Sequence, residues 1–193
     1  TKVAETVMQL ERKLRQEGYF FAKVGHEVVQ GPRGTTLKFD LQRGKATRLG
    51  TVVPEVYAPA IEDQMTTLRM GSLLVPGMRL SRDMLESERK RIADFLKEHG
   101  FFTIGPEAVG FDLDTLGHPY RADGYWLIHN WVRDGEFGPQ ELPHKPWYFG
   151  RVTVADSLNY GLNARGIRRL HLLESGDLYR ASTVAQSQEW LRR

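Results

Sequence analysis

Between Ser81 and Phe102 the chain runs SRDMLESERKRIADFLKEHGFF. Leu85, Ile92, Phe95 and Leu96 recur at helical spacing with charged residues between them, which predicts one apolar stripe on a helix of about five turns. Ser81 is an N-cap residue by type, and Asp83 puts negative charge in the first turn, where it suits the helix dipole. Gly100 can take the left-handed conformation that ends a helix. The aromatic pair Phe101 and Phe102 then opens a strand-like run. The unit reads as amphipathic helix, glycine stop, aromatic strand.

The same unit occurs earlier, as VMQLERKLRQEGYFFAKV over residues 7–24. Leu10, Leu14, Gly18, Tyr19 and Phe20 match Ile92, Leu96, Gly100, Phe101 and Phe102 at one constant offset. A second, longer offset relates Leu49, Gly50, Val52 and Val53 to Phe149, Gly150, Val152 and Thr153, and Met84 and Ser87 to Val184 and Ser187. Two ordered registers at domain spacing predict tandem modules of about 80 to 100 residues. Both glycines are expected at positive φ. Gly100 is expected to tolerate a β-branched residue less well than Gly18, because it lies in the module that reads as complete.

In chain order, residues 2–17 carry apolar residues at helical steps and predict an amphipathic helix. Residues 19–30 read as a strand, Gly31-Pro32-Arg33-Gly34 as a turn, and the alternation of Leu37, Phe39 and Leu41 with polar residues as a half-buried strand. Residues 1–45 are thus expected to be the C-terminal half of a first module. Residues 46–134 give a strand (46–58), a short helix on Ile61, Met65 and Leu68, a loop (71–80) and the long helix. A strand broken at Gly105-Pro106, a loop (115–124) and the β-prone run YWLIHNWV complete that β-α-α-β-β order. Residues 135–146, rich in Gly and Pro, read as a semi-rigid linker. Residues 147–193 begin a third module, with a strand over 147–155, a short helix on Leu162, Ile167 and Leu170, and a closing helix from Ser182.

The net charge of +3 is too mild to demand nucleic acid or membrane. There is no cysteine, so no disulfide framework and no thiolate chemistry. No run reaches the roughly 18 apolar residues of a membrane helix, and no secretory leader is read at Thr1. Six histidines form no His-x-x-x-His pair and no set with metal-ligand spacing. Asp112 and Asp114 could form a catalytic or metal-binding pair, but polar alternation along a strand accounts for them better. No residue set supports an enzyme, and no cofactor or metal is expected. Gly31-Pro32-Arg33-Gly34 matches the Gly-x-x-Gly of KH nucleic-acid-binding domains; between two strands, and with a proline, it reads better as a hairpin turn. Basic clusters at Arg89-Lys90-Arg91, Arg165-Arg168-Arg169 and Arg192-Arg193, with Trp126 and Trp131 as stacking candidates, keep a nucleic-acid-binding α/β module as the alternative function, although Glu86 and Glu88 beside the first cluster read as a solvated helix face and the tryptophans as strand core.

The helix-Gly-aromatic junctions (Leu14, Gly18, Tyr19, Phe20; Leu96, Gly100, Phe101, Phe102), the opening strands at 48–53 and 148–154, and the Gly-x-Leu entries (Gly71, Leu73; Gly176, Leu178) together resemble POTRA domains. These are the polypeptide-transport-associated modules of outer-membrane protein assembly factors of the BamA and TamA type. The resemblance covers nearly the whole chain. It implies an α+β fold of tandem β-α-α-β-β modules, each a three-stranded mixed sheet with two helices on one face. It also implies a location on the periplasmic side of the outer membrane and a membrane β-barrel further along the parent chain. The implied partners are extended outer-membrane protein clients and periplasmic partner proteins or lipoproteins, with no nucleic acid. Clients would add as a strand to an exposed sheet edge. By the family's strand order that edge is the strand after the long helix; residues 101–113 carry Pro106, Gly105 and Gly110, whereas residues 19–30 have no proline and are rich in aromatic and β-branched residues. The expected peptide-binding residues are Phe20, Ala22, Val24, His26 and Val28.

Overall fold

The computed structural model describes residues 2–32, 34–55, 59–118, 120–136, 138–153 and 173–192. The expected helix on Leu162, Ile167 and Leu170, and the last part of the expected strand 147–155, lie outside the described residues. The architecture is α+β, as the sequence predicts. The chain divides into two compact units: residues 1–55, 72–88 and 111–126, and residues 56–71, 89–110 and 127–193. Among the described residues no helix is long and apolar enough to cross a membrane.

In the first unit, helix α1 (Lys2–Gln16) ends as its sequence predicts. Gly18 has φ +93°. The Tyr19 N–H donates to the Leu14 carbonyl and the Gly18 N–H to that of Arg15, both at 2.9 Å. These are the paired bonds of a Schellman motif, which the left-handed glycine makes possible. Strands β1 (Lys23–Gly31) and β2 (Gly34–Gln42) pair antiparallel, from Lys23↔Gln42 to Gly31↔Gly34. The Gly-x-x-Gly stretch therefore closes a hairpin. Leu14, Ala22 and Val24 form its core under α1, with Val7, Leu10, Tyr19 and Phe39 packed around them.

A three-stranded sheet has the order β3-β5-β4, with β3 Arg48–Glu55, β4 Val109–His118 and β5 Arg121–Ile128. The central strand buries every second side chain near its ends, Ala122, Trp126 and Ile128, as one packed face requires. The loop expected at 115–124 is instead mostly strand. The Asp114 carboxylate accepts the N–H groups of Leu116 at 2.8 Å and Gly117 at 2.9 Å, which lets β4 run through glycine to His118. A strap over residues 72–80 closes the unit. Buried Glu88 accepts from the Ser72 hydroxyl at 2.8 Å and the Leu73 N–H at 3.0 Å, and so holds the start of that strap.

In the second unit, a 3₁₀ turn (Pro59–Gln64) leads into helix α2 (Met65–Met70), and the part of α3 (Arg82–Glu98) from Arg89 onward buries Ile92, Ala93 and Leu96. The run YWLIHNWV is not one strand. It breaks at His129, whose N–H donates to the Ala108 carbonyl at 2.8 Å. Strand β6 (Trp131–Gly135) then pairs antiparallel with β7 (Gly138–Leu142), so the first part of the expected linker 135–146 is a hairpin. Its Gly135↔Gly138 pair is the turn end, where glycine reads as linker but also serves a tight reversal. Helix α4 (Ala181–Arg192) follows.

One set of backbone bonds occurs in both units. In the first, the Thr47 N–H donates to the Gly18 carbonyl (2.8 Å) and the Leu80 N–H to that of Thr47 (2.9 Å). Leu49 donates to Met78 (2.8 Å) and Gly77 to Leu49 (2.8 Å). In the second, Trp147 donates to Gly100 (2.9 Å), Tyr179 to Trp147 (2.9 Å), Phe149 to Asp177 (2.9 Å) and Gly176 to Phe149 (2.8 Å). The two offsets in the sequence are the two halves of this clasp: a glycine stop, and a segment held by the strap that precedes the next helix. That segment leads into β3 in the first unit; in the second, the described part of the expected strand 147–155 forms no strand beyond the single bridge Tyr148↔Leu178.

Candidate functional site

The β1–β2 hairpin has two unlike faces. Cross-strand partners share a face, so Val24 and Leu41, His26 and Phe39, and Val28 and Leu37 stand together on one side. Lys23 and Gln42, Glu27 and Lys38, and Gly25 and Asp40 stand on the other. On the apolar face Val24 and Phe39 pack in the core under α1, while Leu41 beside them is 46% exposed. Beyond Phe39 it is open: Val28 is 54% and Leu37 38% exposed.

The edge follows from the same register. In an antiparallel pair, alternate residues direct both backbone groups at the partner strand or away from it. The Val24 N–H donates to Glu11 Oε1 of α1 at 3.3 Å, so Val24 faces outward, and with it His26, Val28 and Gln30. Among the described residues β1 pairs with β2 alone. The outer edge is therefore open from His26 to Gln30 and closed at Val24 by a carboxylate.

The expected peptide-binding residues fall into three groups. Phe20 lies in the turn before β1, half-buried. Ala22 and Val24, 6% and 8% exposed, point into the core under α1, and only the backbone of Val24 looks outward. His26 and Val28 lie on the exposed half of the strand. Glu11 carries no motif; its bond to Val24 spans thirteen residues and is invisible to local patterning. The exposed Val28–Leu37 pair is legible once the register is fixed by the two-residue turn.

Strand β4, the other edge after a helix, is differently built. Pro106 lies before it, in a 3₁₀ turn (Pro106–Ala108). Asp114 takes up two of its N–H groups, and those bonds, first that from Gly117, hold its carboxyl below the usual carboxylate range. Such a self-satisfied edge is a poor template. Asp112 accepts from the Tyr125 hydroxyl at 2.9 Å, so the Asp-x-Asp pair is occupied by its own strands. Among the described residues no group of three or more His, Asp or Glu could hold a metal ion.

Among the described residues His144 is the buried histidine. Its Nε2 lies 2.8 Å from the His129 carbonyl and its Nδ1 2.8 Å from Thr103 Oγ1. A carbonyl only accepts, so Nε2 carries the proton and the threonine hydroxyl donates to Nδ1. Burial pushes its pKa down, against a smaller upward pull from the carbonyl bond.

No protein-family model and no curated protein sequence matches the chain. Solved structures do. The POTRA3–5 region of BamA from Haemophilus influenzae is 15% identical with a TM-score of 0.50, over 100% of this chain and 69% of that one. BamA from Haemophilus ducreyi lacking POTRA domains 1–3 is 18% identical with a TM-score of 0.39, over 68% of this chain and 24% of that one. The N-terminal domain of Omp85 from the cyanobacterium Thermosynechococcus elongatus is 13% identical with a TM-score of 0.35, over 96% and 70%. The overlay on the first of these spans the whole chain, and the fold is the POTRA fold.

Proposed function

We propose that the chain is a non-enzymatic POTRA region of an outer-membrane protein assembly factor. It would lie on the periplasmic side of the outer membrane and bind unfolded outer-membrane protein clients by strand addition along β1. The observation that carries this reading is the edge from His26 to Gln30. It has outward backbone groups with no partner among the described residues, beside an exposed apolar pair, Val28 and Leu37. Backbone pairing supplies affinity there without demanding one client sequence. Glu11 sets where the added strand can begin.

The module layout consistent with the recurring clasp is residues 1–45 as the second half of one module, 46–134 as a whole module, 135–146 as the connection and 147–193 as the first half of another. In the order β3-β5-β4 the strand after α3 is an edge strand. Transferred to β1 and β2 by the Gly18–Gly100 match, that order gives β1 the outer position and leaves β2 for a further strand. The reading extends to periplasmic partner proteins or lipoproteins that use the same edge, and to a membrane barrel in the parent chain.

Val28→Pro tests it. The Val28 N–H faces outward, so proline removes no bond of the hairpin ladder. Binding of an extended outer-membrane-protein peptide, followed by fluorescence anisotropy, is expected to fall at least tenfold with the circular dichroism unchanged. Undiminished binding refutes the site.

A further inference from the structure

We propose a second recognition site, a cleft beside the β6–β7 hairpin that takes an aromatic side chain flanked by carboxylates on an unstructured polypeptide. The cleft is a cavity of about 300 Å³, lined by Thr103, Trp131, Arg133, Leu142, Lys145 and Trp147 among others. That is the lower end of the range for ligand pockets, suited to one side chain rather than a larger molecule.

Two indole rings form a corner in it. Trp131 and Trp147 lie 6.3 Å apart with their planes at 81°. A third ring entering such a corner can meet one indole by its face and the other by its edge, the two arrangements that aromatic quadrupoles favour. Leu142 is the cross-strand partner of Trp131 and adds an apolar wall. The strands supply these groups because Trp131, Arg133 and Leu142 share one face of the ribbon. By the same alternation Asp134 and Glu141 fall on the other face.

The rim is cationic. Arg133 and Lys145 are exposed, and among the described residues neither has an anionic partner within ion-pair distance. Lys145 Nζ stands 5.5 Å from the Trp147 ring centroid, which fixes that charge at the mouth of the cleft. Two unpaired cations around an aromatic corner select an occupant by charge: apolar in the cleft, anionic at the rim. An anionic membrane surface offers the charge but no ring for the corner, so a polypeptide is the better fit. The site uses no atom of β1, and its failure would leave the β1 reading standing.

The test uses the full chain and a fluorescein-labelled peptide with one Phe between two Glu in a Gly–Ser background, at low salt. Against it stand a Lys-flanked peptide, a peptide with Ser for Phe, and phosphatidylglycerol vesicles. The acidic Phe peptide is expected to bind at least tenfold more tightly than either control peptide. Arg133→Glu combined with Lys145→Glu should reverse the preference, so that the Lys-flanked peptide binds the variant more tightly. Both positions are exposed, and circular dichroism checks that the variant folds. Equal binding of the acidic peptide to wild type and variant overturns the proposal. So does charge-dependent binding of the vesicles with no binding of the peptide.

Discussion

Gly18→Ala should open the clasp at the end of α1. The residue sits at φ +93°, where an L-residue costs about 1–2 kcal/mol relative to glycine. A methyl group there would also fall inside van der Waals contact with the Leu80 carbonyl oxygen, and 3.2 Å from Arg79 Cγ. That carbonyl is backbone in the strap, and the strap cannot retreat without lengthening the Leu80–Thr47 bond that holds it. One net hydrogen bond adds about 1 kcal/mol. The sum is about 2–3 kcal/mol. Gly100, at φ +97°, carries the same strain, but its methyl would meet the end of the Leu178 side chain at 2.6 Å, which can rotate away. About 2 kcal/mol is expected there. Gly77, at φ +87° with nothing within 4 Å of an added methyl, isolates the strain alone at about 1–2 kcal/mol. The expected order is Gly18, then Gly100, then Gly77. The contact with backbone thus reverses the order that module completeness suggests for the first two. Hydrogen exchange gives matched local readouts, because the Thr47 N–H is bonded to Gly18 and the Trp147 N–H to Gly100. A Gly100→Ala loss of protection at Trp147 equal to or larger than the Gly18→Ala loss at Thr47 would refute the steric reasoning.

Glu11→Ala frees the Val24 N–H at the outer edge of β1. Faster exchange of that amide and a two- to fivefold gain in client-peptide affinity are expected; a loss of affinity would mean that the carboxylate recruits the client rather than blocks it. Glu88→Ala leaves the Leu73 N–H and the Ser72 hydroxyl without their acceptor. A destabilisation of about 2–3 kcal/mol in denaturant titration is expected, and a change below 0.5 kcal/mol by the same measure would contradict the strap's dependence on it. Because burial depresses the His144 pKa, the unfolded chain protonates first as acid is added. The contribution is therefore complete above about pH 6.5, the unfolded value, and is lost below it as pH falls through the lower pKa of the folded chain. His144→Gln, which keeps an N–H donor for the His129 carbonyl, should flatten the melting-temperature difference between pH 7.5 and 5; an unchanged slope excludes His144 as its source.

The helix stops were legible because a glycine at a helix end acts within one turn, as Gly18 and Gly100 do. The hairpin at Gly31 was legible because it is closed by two residues. What a local reading could not reach depends on distant partners. Residues 115–124 contain Gly117 and Gly124 and read as loop, yet Asp114 bonds the chain to itself and β5 pairs along it. Gly135 and Gly138 read as linker because a turn and a linker share a composition, and only the pairing of Trp131 with Leu142 separates them. The β1 edge was legible as a strand, but which of its side chains are buried was not. Ala22 and Val24 face inward because α1 lies over them, and α1 is placed by tertiary packing.

The clasp is built of carbonyls and N–H groups, and the side chains at its two occurrences have little in common. Thr47, Arg48 and Leu49 stand where Trp147, Tyr148 and Phe149 stand; Met78 and Leu80 stand where Asp177 and Tyr179 stand. Apart from its glycines, such a connection tolerates almost any alphabet. Sequences joined this way can drift until comparison by residue type fails while the backbone course persists, which is how a chain can overlay along its whole length at 15% identity. The same indifference makes the clasp a splice point. A foreign module that begins with a strand in this register and carries its own strap could be grafted behind Gly100 without redesigning what comes before it.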